Sequence, residues 1–353
     1  MPVPGSAEPA AAYPRAIEWL AAVIKEARRR QRRRRVLSAA ALVLTVALAL
    51  SLYFDLSPSS GAPASALSGP LTRKAFELNA PAVALTAARG NVWAVVEGSK
   101  MQALLWKIDP RNGRRLSSFT IGRTGPDFGA VTSSGSVVWA AAGTTVLRVD
   151  TAQPAQITRA PLPGEAATVA VAFGSVWVAT IGERGYVLVR LDAHTLARQA
   201  RIHLDAQPTA INSGLGSLWL ASLSSLQRID PRTNRAVATP AQPDNPIALT
   251  ISGNRLWVLQ RTGAVTLVDQ SGKQRALIPL PFSPSSFAVT ADRIWVTNNC
   301  GCKTGVLAVI DRTTRRVREI TLGTTPVALT TFRNQAWVAT FGDAKLWRVG
   351  WRH

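Results

Sequence analysis

The side chains that most often carry out chemistry are scarce in this chain, and histidine is the scarcest. The 353 residues include only 3 His. His194 falls at a predicted turn, His203 in a predicted outer strand, and His353 is the last residue. Because Ser-His-Asp and Cys-His sets need a histidine beside the nucleophile, no catalytic residue is predicted. No phosphate loop or dinucleotide fingerprint is present, so we expect no cofactor and favour a non-enzymatic protein.

The two cysteines form the most distinctive local motif. Cys300 and Cys302 lie in the string NNCGCKTG, residues 298–305, and the chain has no other Cys. A Cys-x-Cys disulfide closes a small, strained ring, which the conformational freedom of Gly301 makes feasible. We predict a Cys300–Cys302 disulfide that stiffens this loop, and a redox pair is the alternative. A metal site would need further ligands nearby, and none is predicted.

A set of polar residues provides the candidate ligand-binding site. They lie in or beside predicted loops at one end of a repeated strand pattern: Glu97, Arg123, Asp127, Glu183, Arg261, Asn298 and Asn299. Loops held by a rigid scaffold are the usual location of binding residues. This mixture of charges and amides suits a pocket for a polar ligand, although solvated surface loops have the same composition.

The strand pattern that carries these loops is a sevenfold repeat centred on tryptophan. The repeated residues are Trp93, Trp139, Trp177, Trp219, Trp257, Trp295 and Trp337. Successive Trp are 38 to 46 residues apart, and each lies in a short apolar strand such as SVWVATI or RLWVLQR. Large apolar rings fill the space between packed sheets, so we interpret all seven as structural.

Each repeat has similar residues at its boundaries. Upstream of the Trp lies a Pro in six repeats, with Glu165 at this place in the third: Pro81, Pro126, Pro208, Pro246, Pro284 and Pro326. Downstream, an Asp ends a strand and opens a turn: Asp109, Asp150, Asp192, Asp230, Asp269 and Asp311. Asp caps such turns and Pro fixes φ. These boundary residues predict four strands in each repeat.

Seven units of four strands predict an all-β, seven-bladed β-propeller over residues 71–353. The seventh unit ends after its third strand, and the segment LTRKAFELN at 71–79 matches the fourth strand of the sixth unit. We therefore expect residues 71–79 to complete the seventh blade, which leaves no exposed sheet edge. A right-handed solenoid is the alternative, but it would need capping repeats.

The strings GSVWVAT and IDPRTNR resemble those of YVTN-type bacterial propellers and of the related streptogramin-lyase-like propellers. The resemblance covers residues 71–353 and implies the fold and a bacterial source. Streptogramin lyases use His and Glu residues with a bound magnesium ion. The His residues of this chain do not match those positions, and the matching residues are scaffold residues. The resemblance therefore implies a fold rather than an activity.

An apolar run precedes the repeats. Residues 36–54 contain no charged side chain, and at about 1.5 Å per residue they match a hydrocarbon core of about 30 Å. The Arg-rich block at 28–35 favours a cytoplasmic amino terminus. We predict one transmembrane helix at 36–54, a basic amphipathic segment on the inner leaflet at 1–35, and a flexible linker at 55–70. A cleaved signal peptide, giving a secreted protein, is the alternative.

The formal net charge of +21 favours acidic partners but does not choose among them. Nucleic acid is disfavoured because no basic stretch is interleaved with aromatic residues. The sequence therefore predicts a membrane-anchored, extracytoplasmic propeller that acts as a binding, sensing or protein-interaction module. The alternatives are a lyase or hydrolase acting on a small envelope molecule or antibiotic, and a basic propeller binding an anionic polymer or nucleic acid.

Overall fold

The computed structural model describes residues 71–123, 129–152, 156–298 and 304–351. Apart from one 3₁₀ turn at Ser99–Met101, the regular elements of these residues are strands. In chain order they are β1 (Leu71–Glu77), β2 (Ala82–Ala88), β3 (Asn91–Glu97), β4 (Gln102–Ile108), β5 (Arg115–Arg123), β6 (Ala130–Ser134), β7 (Val137–Ala142), β8 (Thr145–Asp150), β9 (Ile157–Pro161), β10 (Glu165–Ala172), β11 (Ser175–Gly182), β12 (Gly185–Asp192), β13 (Arg198–Leu204), β14 (Pro208–Gly214), β15 (Ser217–Ser222), β16 (Ser225–Asp230), β17 (Arg235–Ala238), β18 (Pro246–Ser252), β19 (Arg255–Gln260), β20 (Ala264–Val268), β21 (Gln274–Pro279), β22 (Pro284–Val289), β23 (Arg293–Asn298), β24 (Val306–Asp311), β25 (Val317–Thr321), β26 (Pro326–Phe332), β27 (Gln335–Thr340) and β28 (Lys345–Trp351).

These strands form seven four-stranded antiparallel sheets arranged as a β-propeller. Blades 1 to 6 are β2–β5, β6–β9, β10–β13, β14–β17, β18–β21 and β22–β25, each ordered from the innermost to the outermost strand. Blade 7 consists of β26, β27 and β28 with β1 as its outermost strand. The pairing of Leu71 with Trp351 and of Glu77 with Lys345 confirms that the first strand closes the ring.

The propeller has two distinct faces. The upper face carries the turns between the second and third strands of each blade and the connections from one blade to the next. The lower face carries the turns between first and second strands and those between third and fourth strands. Because β28 runs from the upper to the lower face and β1 is antiparallel to it, β1 begins at the lower face.

The seven repeated tryptophans are buried, as expected for structural residues. Each lies in the second strand of its blade and is at most 4% exposed. Their neighbours along these strands are Val, Ala, Leu and Ile, which pack against the adjacent blades. The large apolar rings thus fill the wedge between neighbouring sheets.

The strand pairing corrects which residues are equivalent at the start of the innermost strands. In six blades, the innermost strand has a one-residue bulge near its start, after the first paired residue in five of them and after the second, Ala166, in blade 3. Buried prolines occupy the position before the bulge in blades 4 to 7, as Pro208, Pro246, Pro284 and Pro326. In blades 1 and 3, Ala82 and Ala166 take this place. Pro81 and Glu165 therefore lie one residue before the equivalent position.

The predicted membrane segment precedes the propeller in the chain. No helix within the described ranges is long and apolar enough to cross a membrane. The predicted transmembrane helix at 36–54 and the flanking segments 1–35 and 55–70 lie outside those ranges.

Candidate functional site

The predicted ligand-binding residues do not converge on one pocket. Asp127, Asn299, Cys300 and Cys302 lie outside the described residues. The others are on the upper face but belong to four different blades: Glu97 and Arg123 to blade 1, Glu183 to blade 3, Arg261 to blade 5 and Asn298 to blade 6. Arg123, Glu183 and Arg261 are exposed to solvent.

Asn298 has a structural environment. The side chain is buried, and its Oδ1 accepts the backbone N–H of Val306 at 2.8 Å across the turn between β23 and β24. The backbone carbonyl of Asn298 accepts the hydroxyl of Ser285 at 3.0 Å. These contacts fix the base of the loop that contains the two cysteines.

The central channel is uncharged. It has a volume of ≈ 540 Å³ and is lined by residues of all seven innermost strands. Its lining consists of small aliphatic residues with Ser, Thr and Asn side chains, including Thr132, Thr168 and Asn212. Such a surface has no described group that could act as a general acid or base.

Hydroxyl groups at the bulges tie neighbouring innermost strands together. Thr209 Oγ1 donates to the carbonyl of Pro246 in the next blade at 2.6 Å. Ser285 Oγ donates in the same way to the carbonyl of Pro326 at 2.7 Å. The polar lining is therefore partly engaged in holding the ring together.

A larger groove of ≈ 990 Å³ lies where blade 7 meets blade 1. One wall is the end of β1 and the β1–β2 connection, Glu77–Pro81. The opposite wall includes Glu97, the indole of Trp106, Arg114 and Arg115. The Arg115 guanidinium lies 4.7 Å from the centroid of the Trp106 ring. Among the predicted ligand-binding residues that the structure describes, Glu97 lies in this groove and the others do not.

The charges of this seam groove are unevenly paired. Glu77 forms an ion pair with Lys345, with 3.2 Å between Oε1 and Nζ. Within the described part of the chain, the carboxylate of Glu97 has no hydrogen bond or ion pair, although its backbone N–H donates to the carbonyl of Pro81. Glu97 is therefore available to bind a cationic or hydrogen-bond-donating ligand group.

The turn above the groove has an unusual backbone. Lys100 and Met101 are consecutive non-glycine residues with φ of 58° and 59°. The left-handed region is unfavourable for such side chains and often occurs at binding sites. Met101 is also 49% exposed, which is uncommon for a large apolar residue. The exposed Met101 side chain and the Glu97 carboxylate thus lie at opposite ends of the short connection between β3 and β4.

The repeat of Pro, Trp and Asp does not by itself predict the arginines that join neighbouring blades. The Arg190 guanidinium lies 4.8 Å from the Trp177 ring centroid and donates to the carbonyl of Pro231 at 2.6 Å in the next blade. Arg348 of blade 7 donates equivalently to the carbonyl of Pro110 in blade 1 at 3.0 Å.

A sequence signal for this contact exists. A basic residue stands two positions before the turn Asp in KID, RVD, RLD and RID, at the ends of β4, β8, β12 and β16, with Asp109 one residue past β4. That residue pairs across the sheet with the repeated Trp of its own blade. The recurrence therefore marks a cation placed beside the Trp ring.

The turn aspartates on the lower face are held in their ionised form. Asp269 Oδ1 accepts the Ser271 hydroxyl at 2.6 Å and the Lys273 N–H at 3.0 Å, which lower the pKa of Asp269 well below its usual range. The backbone N–H of Arg232 lowers the pKa of Asp230 in the same way. These carboxylates serve their own turns, as the sequence pattern predicts.

Exposed charge differs strongly between the two faces. On the lower face, the exposed cations are Arg89, Arg111, Arg114, Arg115, Arg198, Arg232, Arg235, Arg255, Lys273, Arg316 and Arg333. Asp292 is the exposed carboxylate among the described residues of the same turns. Among the described residues of the upper face, the exposed charged side chains are mixed in sign: Lys100, Arg123, Arg184, Arg261, Glu77, Glu165, Glu183, Asp205 and Asp244.

Metal-binding geometry is absent from the described ranges, where no group of three or more His, Cys, Asp or Glu side chains is close enough to hold an ion.

Comparison with known proteins supports the fold alone. No family model matches the chain, and no curated protein sequence matches it. The WD40 domain of Neurospora crassa Pan2 is similar with a TM-score of 0.62 and 11% identity, over 80% of this chain and 96% of that one. The WD40 β-propeller domain of Doa1 has a TM-score of 0.59 and 11% identity, over 77% and 93%. The computationally designed Ika8 protein has a TM-score of 0.56 and 12% identity, over 78% and 98%.

Proposed function

We propose that this protein is a membrane-anchored, extracytoplasmic propeller that binds a polar ligand, most simply a peptide segment of a partner protein, in the seam groove. The observation that carries the proposal is the unpaired Glu97 carboxylate in a groove of ≈ 990 Å³. The propeller fold commonly mediates protein interaction, which agrees with this role. The apolar run at 36–54 supports the anchor, and the Arg block before it supports the orientation.

The proposal also includes the type of propeller and the state of the two cysteines. The strings GSVWVAT and IDPRTNR support a bacterial propeller of the YVTN type. An extracytoplasmic location would favour oxidation of Cys300 and Cys302, and the resulting disulfide would stiffen one upper-face loop. The alternative, a lyase or hydrolase, has less support, because the described residues that line the channel and the seam groove include no His.

The groove can be tested with peptides. A random peptide library displayed on phage would be panned against the full chain in detergent micelles. Enriched peptides would then be titrated against Glu97→Gln and against Glu183→Gln, an equal change on the same face outside the groove. We expect Glu97→Gln to weaken binding about tenfold or more, because it removes a charge-assisted hydrogen bond. Glu183→Gln should leave the affinity unchanged.

Two outcomes would contradict this function. The first is that no peptide family is enriched. The second is that both variants bind the enriched peptides as well as the parent protein does, which would place binding elsewhere.

A further inference from the structure

We infer that the lower face of the propeller docks on the anionic surface of the membrane in which the chain is anchored. The inference rests on the proposed anchor, and it concerns the lower face, which shares Arg114 and Arg115 with the seam groove. It follows from the distribution of exposed charge, from the point where the chain enters the propeller, and from one exposed aromatic residue.

On the lower face the cations are exposed, whereas most carboxylates are bound within their own turns. Exposed Arg or Lys side chains come from six of the seven blades, so the charge forms a broad ring rather than a cleft. Most of the acidic side chains of this face lie in the turns and accept backbone N–H groups, as Asp230 does from Arg232 at 2.8 Å and Asp311 from Thr314 at 2.7 Å. A wide, flat distribution of positive charge is complementary to a plane of anionic headgroups.

The chain enters the propeller from this same face. Leu71 begins β1 at the lower face, opposite Trp351. The predicted linker 55–70 joins the apolar run to Leu71, and a chain of that length has a typical end-to-end distance of roughly 20–25 Å when flexible. The chain therefore enters the propeller at the face that carries the exposed cations, and exposed Lys and Arg side chains are attracted to anionic lipid.

An exposed aromatic residue distinguishes lipid from a soluble polyanion. Phe173 lies in the turn between β10 and β11 on the lower face and is 45% exposed. Its φ of 53° places it in the left-handed region of the backbone at this turn. An exposed apolar ring on a cationic face is suited to contact with the membrane interface.

Arginine footprinting of the full chain tests the inference without substitutions. The protein would be placed in lipid nanodiscs of phosphatidylcholine alone, or with about 30% phosphatidylglycerol, and treated with phenylglyoxal. Mass spectrometry would then report modification at each arginine. We expect Arg111, Arg232 and Arg255 to react about fivefold more slowly in the anionic discs, and high salt to abolish the protection. Arg184 and Arg261 on the upper face are the internal controls and should react equally in both discs.

A charge-reversed variant provides the matched comparison. Arg111, Arg232 and Arg255 form no side-chain hydrogen bond or ion pair within the described part of the chain. The triple change Arg111→Glu, Arg232→Glu and Arg255→Glu should therefore fold and should remove the protection of Arg198 and Arg316. The triple change Lys100→Glu, Arg184→Glu and Arg261→Glu alters the charge equally on the upper face and should preserve that protection.

The outcomes separate this inference from the anchor and from other partners. Equal modification in both discs, or equal protection on both faces, would overturn it. Stronger protection of the same arginines by duplex DNA than by anionic discs would assign the face to nucleic acid instead. Extraction of the protein from cell membranes by alkaline carbonate would disprove the anchor, whereas the footprint would still decide whether the lower face binds lipid.

Discussion

At the scale of single residues, the contacts between blades combine an apolar ring with a cation. Arg190 covers Trp177 and also donates to the carbonyl of Pro231 and to Asn234 Oδ1. One side chain thus connects the third blade to a turn of the fourth. The recurring Asp-Pro dipeptide therefore has a second role, since the Pro carbonyl accepts the arginine of the preceding blade.

Replacing Arg190 tests this role. Arg190→Met keeps much of the side-chain length but removes the hydrogen bonds and the cation–π contact. We expect it to lower the free energy of unfolding by about 1–3 kcal/mol. Arg198→Met removes the same charge from an exposed side chain six positions after Asp192 and should change stability by less than about 0.5 kcal/mol. Urea denaturation followed by tryptophan fluorescence measures both, and equal effects would show that only net charge matters.

At the scale of the strands and turns, the ionised turn aspartates make stability depend on pH. Folding lowers the pKa of Asp192, Asp230 and Asp269 below the ordinary value of 3.8. Their contribution is therefore complete above the unfolded pKa of about 4 and is lost as the pH falls through the lowered folded pKa.

The variant Asp269→Asn should reduce this dependence. We expect the urea midpoint of the parent protein to fall between pH 5 and pH 2.5. In Asp269→Asn the midpoint should be lower at pH 6 and should fall less on acidification, because the amide does not titrate. Asp205→Asn on the upper face is the control and should retain the full pH dependence. An unchanged slope in Asp269→Asn would contradict the assignment.

The sequence predicts these elements well because the same local pattern is repeated seven times. Period-2 apolar strands, the Trp at each second strand and the Asp turns all agree with the structure, and so does closure by β1. The bulged register was not predictable from Pro alone, since Ala82 and Ala166 occupy the same position as four prolines. The candidate site is less predictable from the sequence than the strands are. All residues that line the seam groove lie between Glu77 and Arg115, but the groove itself arises from the packing of β1 beside blade 1, which no sequence motif encodes. The sequence pattern therefore predicts only Glu97 among them.

At the scale of the whole molecule, closure joins blades 7 and 1 by the same type of polar contact that joins other neighbouring blades. Arg348 donates to Pro110 across the closing seam at 3.0 Å, and Arg228 of blade 4 donates to Gln270 of blade 5 at 3.3 Å. The same type of contact is therefore used within the continuous chain and across its closure.

This equivalence predicts cooperative unfolding. Arg348→Met and Arg228→Met should each shift one unfolding transition to lower urea concentration, with coincident curves from tryptophan fluorescence and far-ultraviolet circular dichroism. If the seam opened independently, Arg348→Met would separate the two curves while Arg228→Met would not.

The antiparallel pairing of β1 with β28 also imposes an order of events during synthesis. Leu71 leaves the ribosome long before Trp351, so the first strand of the ring must wait unpaired until its partner is made. During that interval both edges of the growing array are open to pairing with another chain. Ring closure therefore requires the last strand to be present, and premature termination would leave an open array that is prone to aggregation.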